Sequence, residues 1–141
     1  MVPEYYKAEV IYVLDSSSFV GPDNYQLEKD FTKALALALN HSPTRTKSAV
    51  IIFDSFFEEA ISMEALRDID RFSEAVDNLR YLGRGSQLVF ALPSAANGFS
   101  SDDLPKVIIV VTNKDLPRSD LAETLRRKFR REGKVFIDIS V

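Results

Sequence analysis

One stretch constrains the fold of this chain more than any other. A continuous apolar run at residues 10–14 ends in a carboxylate, Asp15, and three serines, Ser16, Ser17 and Ser18, follow it. An apolar run bounded by turn-forming residues is typical of a β-strand buried on both faces, as the central strands of parallel sheets are. Ligands bind to open parallel sheets in the crevice beyond the carboxyl ends of the strands. We therefore expect Asp15 and the serines to border any preformed site in the chain.

Strand and helix patterns alternate along the rest of the chain. Apolar and β-branched runs predict strands at residues 7–14, 48–53, 106–112 and 135–141, with a short antiparallel edge strand at 56–61. The spacing of apolar residues predicts helices at residues 25–40, 63–82 (with a break near Asp70), 88–96 and 119–131. This alternation is typical of a doubly wound, mostly parallel α/β sheet flanked by helices. No linker or repeat interrupts it, so we predict a single domain over residues 1–141.

The composition excludes several classes of protein. The 141 residues carry a formal net charge of -3, which is not typical of a nucleic-acid-binding protein. The absence of cysteine excludes disulfides and thiolate metal sites. No apolar stretch approaches the roughly 20 residues of a membrane-spanning helix, and residues 1–7 lack the apolar core of a signal peptide. We therefore expect neither a nucleic-acid nor a membrane partner.

The residues also argue against an enzyme. The chain has no phosphate-binding Gly-x-x-x-x-Gly-Lys loop and no Gly-x-Ser-x-Gly nucleophile turn. Asn113-Lys114-Asp115 is similar to the guanine-specificity motif of GTP-binding proteins, but Leu116 occupies the position of the motif's aspartate. His41, the only histidine, follows a predicted helix, where we expect it to be a surface capping residue. We predict a protein without enzymatic activity.

The predicted strands and the loops after them follow a pattern that is known from one family. The pattern begins with Asp15-Ser16-Ser17-Ser18-Phe19-Val20-Gly21 and Asn24-Tyr25, and it continues with Ser48-Ala49-Val50-Ile51-Ile52-Phe53-Asp54, Leu82-Gly83-Arg84-Gly85-Ser86 and residues 106–114 and 133–136. These segments resemble a von Willebrand factor type A domain, especially those of collagens and matrilins. The resemblance implies a Rossmann-like fold and an extracellular, adhesive role within a larger protein. The family usually continues with another strand and helix, which we expect to be missing after Val141.

The resemblance also implies a metal-ion-dependent adhesion site built from three loops. In that family an Asp-x-Ser-x-Ser motif, a threonine and a second aspartate hold a metal ion, usually Mg²⁺, whose open position takes an acidic residue of the partner. Asp15 and Ser17 match the motif, but Phe19 replaces its second serine. Ser86 stands in place of the threonine and Asn113 in place of the second aspartate. Because Mg²⁺ demands a near-ideal octahedron of oxygens, we expect this site to be weak or empty, with no cofactor.

A basic cluster in the last predicted helix is the strongest charge signal. It comprises Arg126, Arg127, Lys128, Arg130, Arg131 and Lys134. Cations near a helix C-terminus interact favourably with the helix dipole, so the cluster is typical of a solvated outer face. The same residues also predict a patch that binds heparin-like polyanions.

Together these observations predict a protein-interaction module of an extracellular matrix or adhesion protein. Binding would use the degenerate loop surface without metal, or the flanks of the domain. Three alternatives stay open. The first is a metal-dependent site that retains Mg²⁺ because Asp115 replaces Asn113 as a ligand, the second is polyanion binding by residues 126–134, and the third is a structural spacer.

Overall fold

The structure, a computed structural model, describes residues 7–39, 41–42, 44–63, 68–85, 95, 98–99, 103–112 and 120–140. The helices and strands follow in chain order: β1 (Glu9–Asp15), α1 (Gly21–Ala38), β2 (Lys47–Phe53), β3 (Phe57–Ile61), α2 (Ile69–Asp77), β4 (Lys106–Thr112), α3 (Asp120–Arg131) and β5 (Val135–Ser140). The helix predicted at residues 88–96 falls outside the described residues except for Ala95. No helix in the described ranges is long and apolar enough to cross a membrane.

The five strands form one sheet in the order β3-β2-β1-β4-β5. β1 pairs in parallel with β2 and β4, and β5 pairs in parallel with β4. β3 is antiparallel to β2, which confirms the predicted short edge strand. β1 lies at the centre of the sheet, and every residue from Glu9 to Asp15 is buried. The prediction of a mostly parallel α/β sheet is confirmed.

Side chains of β1 alternate between two hydrophobic clusters, one on each face of the sheet. Ile11 and Val13 pack in the cluster that contains Phe129 of α3, and Tyr12 and Leu14 pack in the one that contains Phe72 of α2. A strand whose successive side chains point to opposite faces has to be apolar throughout when both faces are covered. The continuous apolar run at residues 10–14 therefore reflects the burial of β1 on both faces of the sheet.

His41 is buried rather than at the surface, so the predicted capping role is wrong. Its Nδ1 lies 2.9 Å from Ser48 Oγ, and its ring centre lies 4.5 Å from that of Phe72. The residue also forms an isolated bridge with Thr46. The turn between α1 and β2 therefore folds the imidazole back onto the core.

Two helices begin or end at residues other than those predicted. α1 begins at Gly21, with Pro22 in its first turn, where a missing amide proton is tolerated. The helix therefore begins four residues before the predicted start at residue 25. α2 begins at Ile69, close to the break predicted near Asp70, where the Asp68 side chain caps it by accepting a hydrogen bond from the Arg71 amide at 2.9 Å, and it ends at Asp77. Residues 78–85, which include the last turn of the predicted helix, instead form a loop that reaches the end of β1.

Candidate interaction site at the carboxyl ends of the strands

The first loop, residues 16–20, begins after Asp15, the last residue of β1. The Asp15 side chain is fully buried, and its Oδ1 accepts a hydrogen bond from the Ser17 amide at 2.9 Å. Ser17 Oγ in turn accepts from the Phe19 amide at 3.3 Å. Short polar side chains commonly stabilise turns by such bonds to nearby backbone. Asp15 and Ser17, the two described residues that match the metal motif, thus stabilise the turn of the first loop.

The second loop, residues 78–85, is joined to the first loop by short hydrogen bonds. Ser16 Oγ accepts from the Leu82 amide at 2.7 Å, and the Ser16 carbonyl accepts from the Gly83 amide at 2.7 Å. The Ser18 amide donates to the Arg84 carbonyl at 2.7 Å. Gly83 has φ 77°, a left-handed conformation that glycine adopts without a steric penalty. The two loops therefore form one connected surface at the end of β1.

The third loop, residues 54–56, is joined to the second loop by an ion pair between Asp54 and Arg84. The Asp54 side chain is fully buried, and its Oδ1 accepts from the Phe56 amide at 3.0 Å. Its Oδ2 accepts from the Arg84 amide at 3.3 Å and from Arg84 Nε. Burial alone would raise the pKa of Asp54, but the bonds from Arg84 and Phe56 and the Arg84 charge lower it below its ordinary value. Asp54 is therefore ionised at neutral pH and fixes Arg84 at the surface.

A further carboxyl group, that of Glu28 on α1, is buried beside the end of β1. Glu28 Oε1 accepts a hydrogen bond from the Asp15 amide at 2.8 Å, and Oε2 has no hydrogen-bond partner among the described residues. Burial raises the pKa of Glu28 to about 10; the charge of Asp15 adds to this rise and the Asp15 amide opposes it. Glu28 is therefore protonated and uncharged at neutral pH.

The described part of the predicted metal site supplies few of the oxygens that Mg²⁺ needs. Asp15 contributes one carboxylate and Ser17 one hydroxyl, while the side chain of Phe19 offers no ligand atom and is 48% exposed. Among the described residues, no three side chains of His, Cys, Asp or Glu are grouped so that they could hold a metal ion. The other predicted ligands lie outside the described residues: Ser86, Asn113, and Asp115, which was predicted as an alternative to Asn113. The described residues thus supply two of the oxygen ligands that the resemblance implies, whereas Mg²⁺ prefers six oxygens.

The basic cluster on α3 divides into one buried and several exposed members. Arg126 is buried, and it donates to Glu123 Oε1 at 2.8 Å and to Asp138 Oδ1 of β5 at 3.2 Å. It therefore anchors α3 to the sheet and, contrary to the prediction, is not part of the exposed surface. The exposed members are Arg127, Lys128, Arg130 and Arg131, with Lys134 half-buried. Three of these arginines line a groove of about 450 Å³ together with Thr124.

Sequence reasoning missed two features of this end of the sheet. Glu28 shares the buried side of α1 with Tyr25 and Thr32, and a carboxyl group at that helical spacing was a readable signal. The pair of Asp54 and Arg84 had no such signal, because the two residues lie 30 positions apart in separate loops.

Comparisons with known proteins agree on one family. The family model described as von Willebrand factor type A domain matches residues 9–139. The collagen alpha-6(VI) chain of Homo sapiens is 24% identical over 140 residues, which cover 96% of this chain and 6% of that protein. Matrilin-2 of Mus musculus is 24% identical over 144 residues, which cover 96% of this chain and 15% of that protein. The chain thus spans a small fraction of the length of these relatives.

A solved structure also has this fold. Proximal thread matrix protein 1 from the mussel byssus superposes with a TM-score of 0.84 at 25% identity, covering 99% of this chain and 37% of that one. That structure has zinc in its MIDAS motif. The likeness supports the mostly parallel sheet. The loops at the end of β1 are the part of this chain to compare with the MIDAS motif of that structure.

Proposed function

Because this chain belongs to the von Willebrand factor type A domain family, we propose that it is a non-enzymatic protein-interaction module of an extracellular matrix protein. It binds its partner without a metal ion, through the loop face, which comprises the first, second and third loops (residues 16–20, 78–85 and 54–56). The matches to collagen and matrilin chains support the matrix setting. The observation that carries the metal-free mode is the exposed ring of Phe19 at a position where the family's motif has a ligand hydroxyl.

The loop face has the chemistry of a protein-binding surface. Phe56 is 65% exposed and Phe19 is 48% exposed, and both lie in loops held by the contacts described above. Aromatic residues and arginine are enriched at protein interfaces, where they contribute large contact areas at a low cost in conformational entropy. The serines and Asp15, in contrast, are engaged in loop contacts. Recognition is therefore assigned to the aromatic rings and Arg84 rather than to a bound ion.

A solid-phase binding assay tests this proposal. We expect the chain to bind at least one of a panel of purified collagens, laminin and fibronectin equally well with Mg²⁺ and with EDTA. Phe56→Ser should weaken that binding about tenfold or more, as loss of an interface aromatic does. Leu37→Ser is the matched control, because Leu37 on α1 is also 65% exposed but lies far from the loops.

Three results would contradict the proposal. Binding that EDTA abolishes would establish the metal-dependent alternative, and Asp115→Ala would then show whether Asp115 is a ligand. Equal loss in the Phe56 and Leu37 variants would place the interaction elsewhere. Failure to bind any partner on any surface would favour the structural spacer.

A specific observation favours polyanion binding as a second candidate function. The groove on α3 places Arg127, Arg130 and Arg131 around one opening of about 450 Å³. Guanidinium groups bind sulfate and phosphate groups with two parallel hydrogen bonds, so three of them around a groove suit a sulfated chain. We propose heparin-like polysaccharides as the ligand of this groove, with Lys128 and Lys134 as further basic residues of the patch.

Heparin chromatography tests the second candidate. The triple variant in which Arg127, Arg130 and Arg131 become Gln should elute at clearly lower salt than the wild type, with a shallower dependence of affinity on salt, because fewer counterions are exchanged. The same change in charge at Lys7, Arg45 and Arg71, outside α3, is the matched control and should have a smaller effect. Equal shifts in the two triple variants would mean that net charge alone governs retention.

A further inference from the structure

We propose that Arg84 is the recognition residue of the loop face and that it binds a carboxylate of an acidic side chain in the partner protein. This inference rests on the proposed function, since it names the contact that the loop face makes.

The side chain of Arg84 is fixed on one side and open on the other. Asp54 accepts a hydrogen bond from Arg84 Nε, and the guanidinium carbon of Arg84 lies 4.9 Å from the centre of the Phe56 ring. The terminal Nη atoms have no hydrogen bond or ion pair with any residue in the described ranges, and the side chain is 51% exposed. A guanidinium held by Nε still presents its two Nη atoms, an arrangement that matches the two oxygens of a carboxylate.

Arg84 is not needed in this position merely to join the loops. Its backbone already does so, because the carbonyl accepts from the Ser18 amide and the amide donates to Asp54 Oδ2. Gly83 and Leu82 add their own bonds to Ser16. The guanidinium therefore adds an oriented, half-exposed charge to loops that are joined without it.

The surroundings strengthen a contact with a carboxylate. The exposed rings of Phe19 and Phe56 would be covered by an apolar part of the partner, which removes water from around the guanidinium. A charged hydrogen bond gains strength as its surroundings become less polar. Because Asp54 already holds Arg84 in place, little rotamer freedom is lost when the partner binds. The partner is therefore a protein segment in which an Asp or Glu stands next to apolar residues.

A selection experiment identifies such segments without a known partner. A displayed library of random 12-residue peptides is selected on the immobilised wild-type chain in EDTA, and weakly bound peptides are washed away. We expect the remaining peptides to be enriched in Asp or Glu beside apolar residues. The affinity of the best peptide, and of the same peptide with its acid replaced by the amide, is then measured on wild-type chain and on Arg84→Gln.

The expected result is a strong coupling between the two groups. Amidation of the peptide should weaken binding to the wild type at least about tenfold and binding to Arg84→Gln hardly at all, as for paired charges in a double-mutant cycle. Arg84→Lys should behave like Arg84→Gln, since Lys lacks the planar fork. Arg80→Gln, which removes an exposed charge from the same loop, should leave the tenfold difference in place. Melting temperatures verify that each variant is folded.

Outcomes against the inference are distinct from outcomes against the proposed function. If the acid matters equally on wild type and on Arg84→Gln, or if no selected peptide depends on Arg84, the inference is wrong. If the selected peptides nevertheless lose affinity on Phe56→Ser, the metal-free loop face still stands. If peptides bind but none responds to Arg84 or Phe56, both fail.

Discussion

Glu28→Gln should make the folded chain more stable at neutral and alkaline pH and should flatten the dependence of its stability on pH. In the folded state the Glu28 carboxyl is buried beside the Asp15 backbone, and burial raises its pKa to about 10. In the unfolded chain the pKa returns to about 4.3. Between these two values the folded state therefore binds one proton more than the unfolded state.

The sign of the effect follows from this difference in bound protons. The free energy of unfolding falls as the pH rises through this window, by at most about 1.4 kcal/mol per pH unit. The contribution of Glu28 to the free energy of unfolding is fully present below the unfolded-state pKa, and it is lost as the pH rises towards 10. Glutamine keeps the shape and an oxygen for the Asp15 amide but cannot ionise. We expect Glu28→Gln to gain up to about 4 kcal/mol at pH 8 relative to pH 5, compared with the wild type.

Urea unfolding of both proteins from pH 5 to pH 9 measures this effect. Glu58→Gln is the matched control, because Glu58 on β3 is exposed and should leave the pH dependence of the wild type unchanged. Parallel stability curves for wild type and Glu28→Gln would show that Glu28 is ionised in the folded state, contrary to the burial described here.

The strands could be predicted from sequence because their cause is local. β1 and β4 are covered on both faces, and such strands have to be apolar throughout, so residues 10–14 and 106–112 predicted them directly. The antiparallel β3 was predictable as a short segment next to a buried strand. The loop motifs then indicated the family, and the match over residues 9–139 confirms it.

What could not be predicted depends on contacts between distant segments. The second part of the helix predicted at residues 63–82 ends at Asp77, earlier than expected, because helical spacing by itself does not show where a helix ends; its start, capped by Asp68, lies close to the break predicted near Asp70. His41 looked like a surface residue because only the fold of the following turn brings it onto Phe72. The residues next to Arg84 in sequence did not indicate a role for it, because its partner Asp54 lies in another loop. Arg126 could not be separated from the exposed arginines without knowing that Asp138 lies beside α3.

Restoring the oxygen ligands should convert the loop face from a metal-free to a metal-binding surface. Phe19→Ser returns the second motif serine next to Ser17, and Asn113→Asp returns the second carboxylate that the resemblance calls for. Hard divalent cations bind according to the number and charge of their oxygen ligands. We therefore expect the double variant to acquire saturable Mn²⁺ binding that the wild type lacks. Asn113→Asp alone, which leaves Phe19 in place, is the control for the change in charge.

Isothermal titration of the wild-type chain with Mn²⁺ and Mg²⁺, paired with melting temperatures in EDTA, tests the metal-free loop face most directly. A ligand that binds only the folded state raises its stability, so heat and melting temperature report the same event. We predict no saturable heat and no difference in melting temperature between EDTA and metal for the wild type, with both signals present in the Phe19→Ser, Asn113→Asp variant. Saturable binding to the wild type, with a rise in melting temperature that EDTA reverses, would contradict the metal-free loop face.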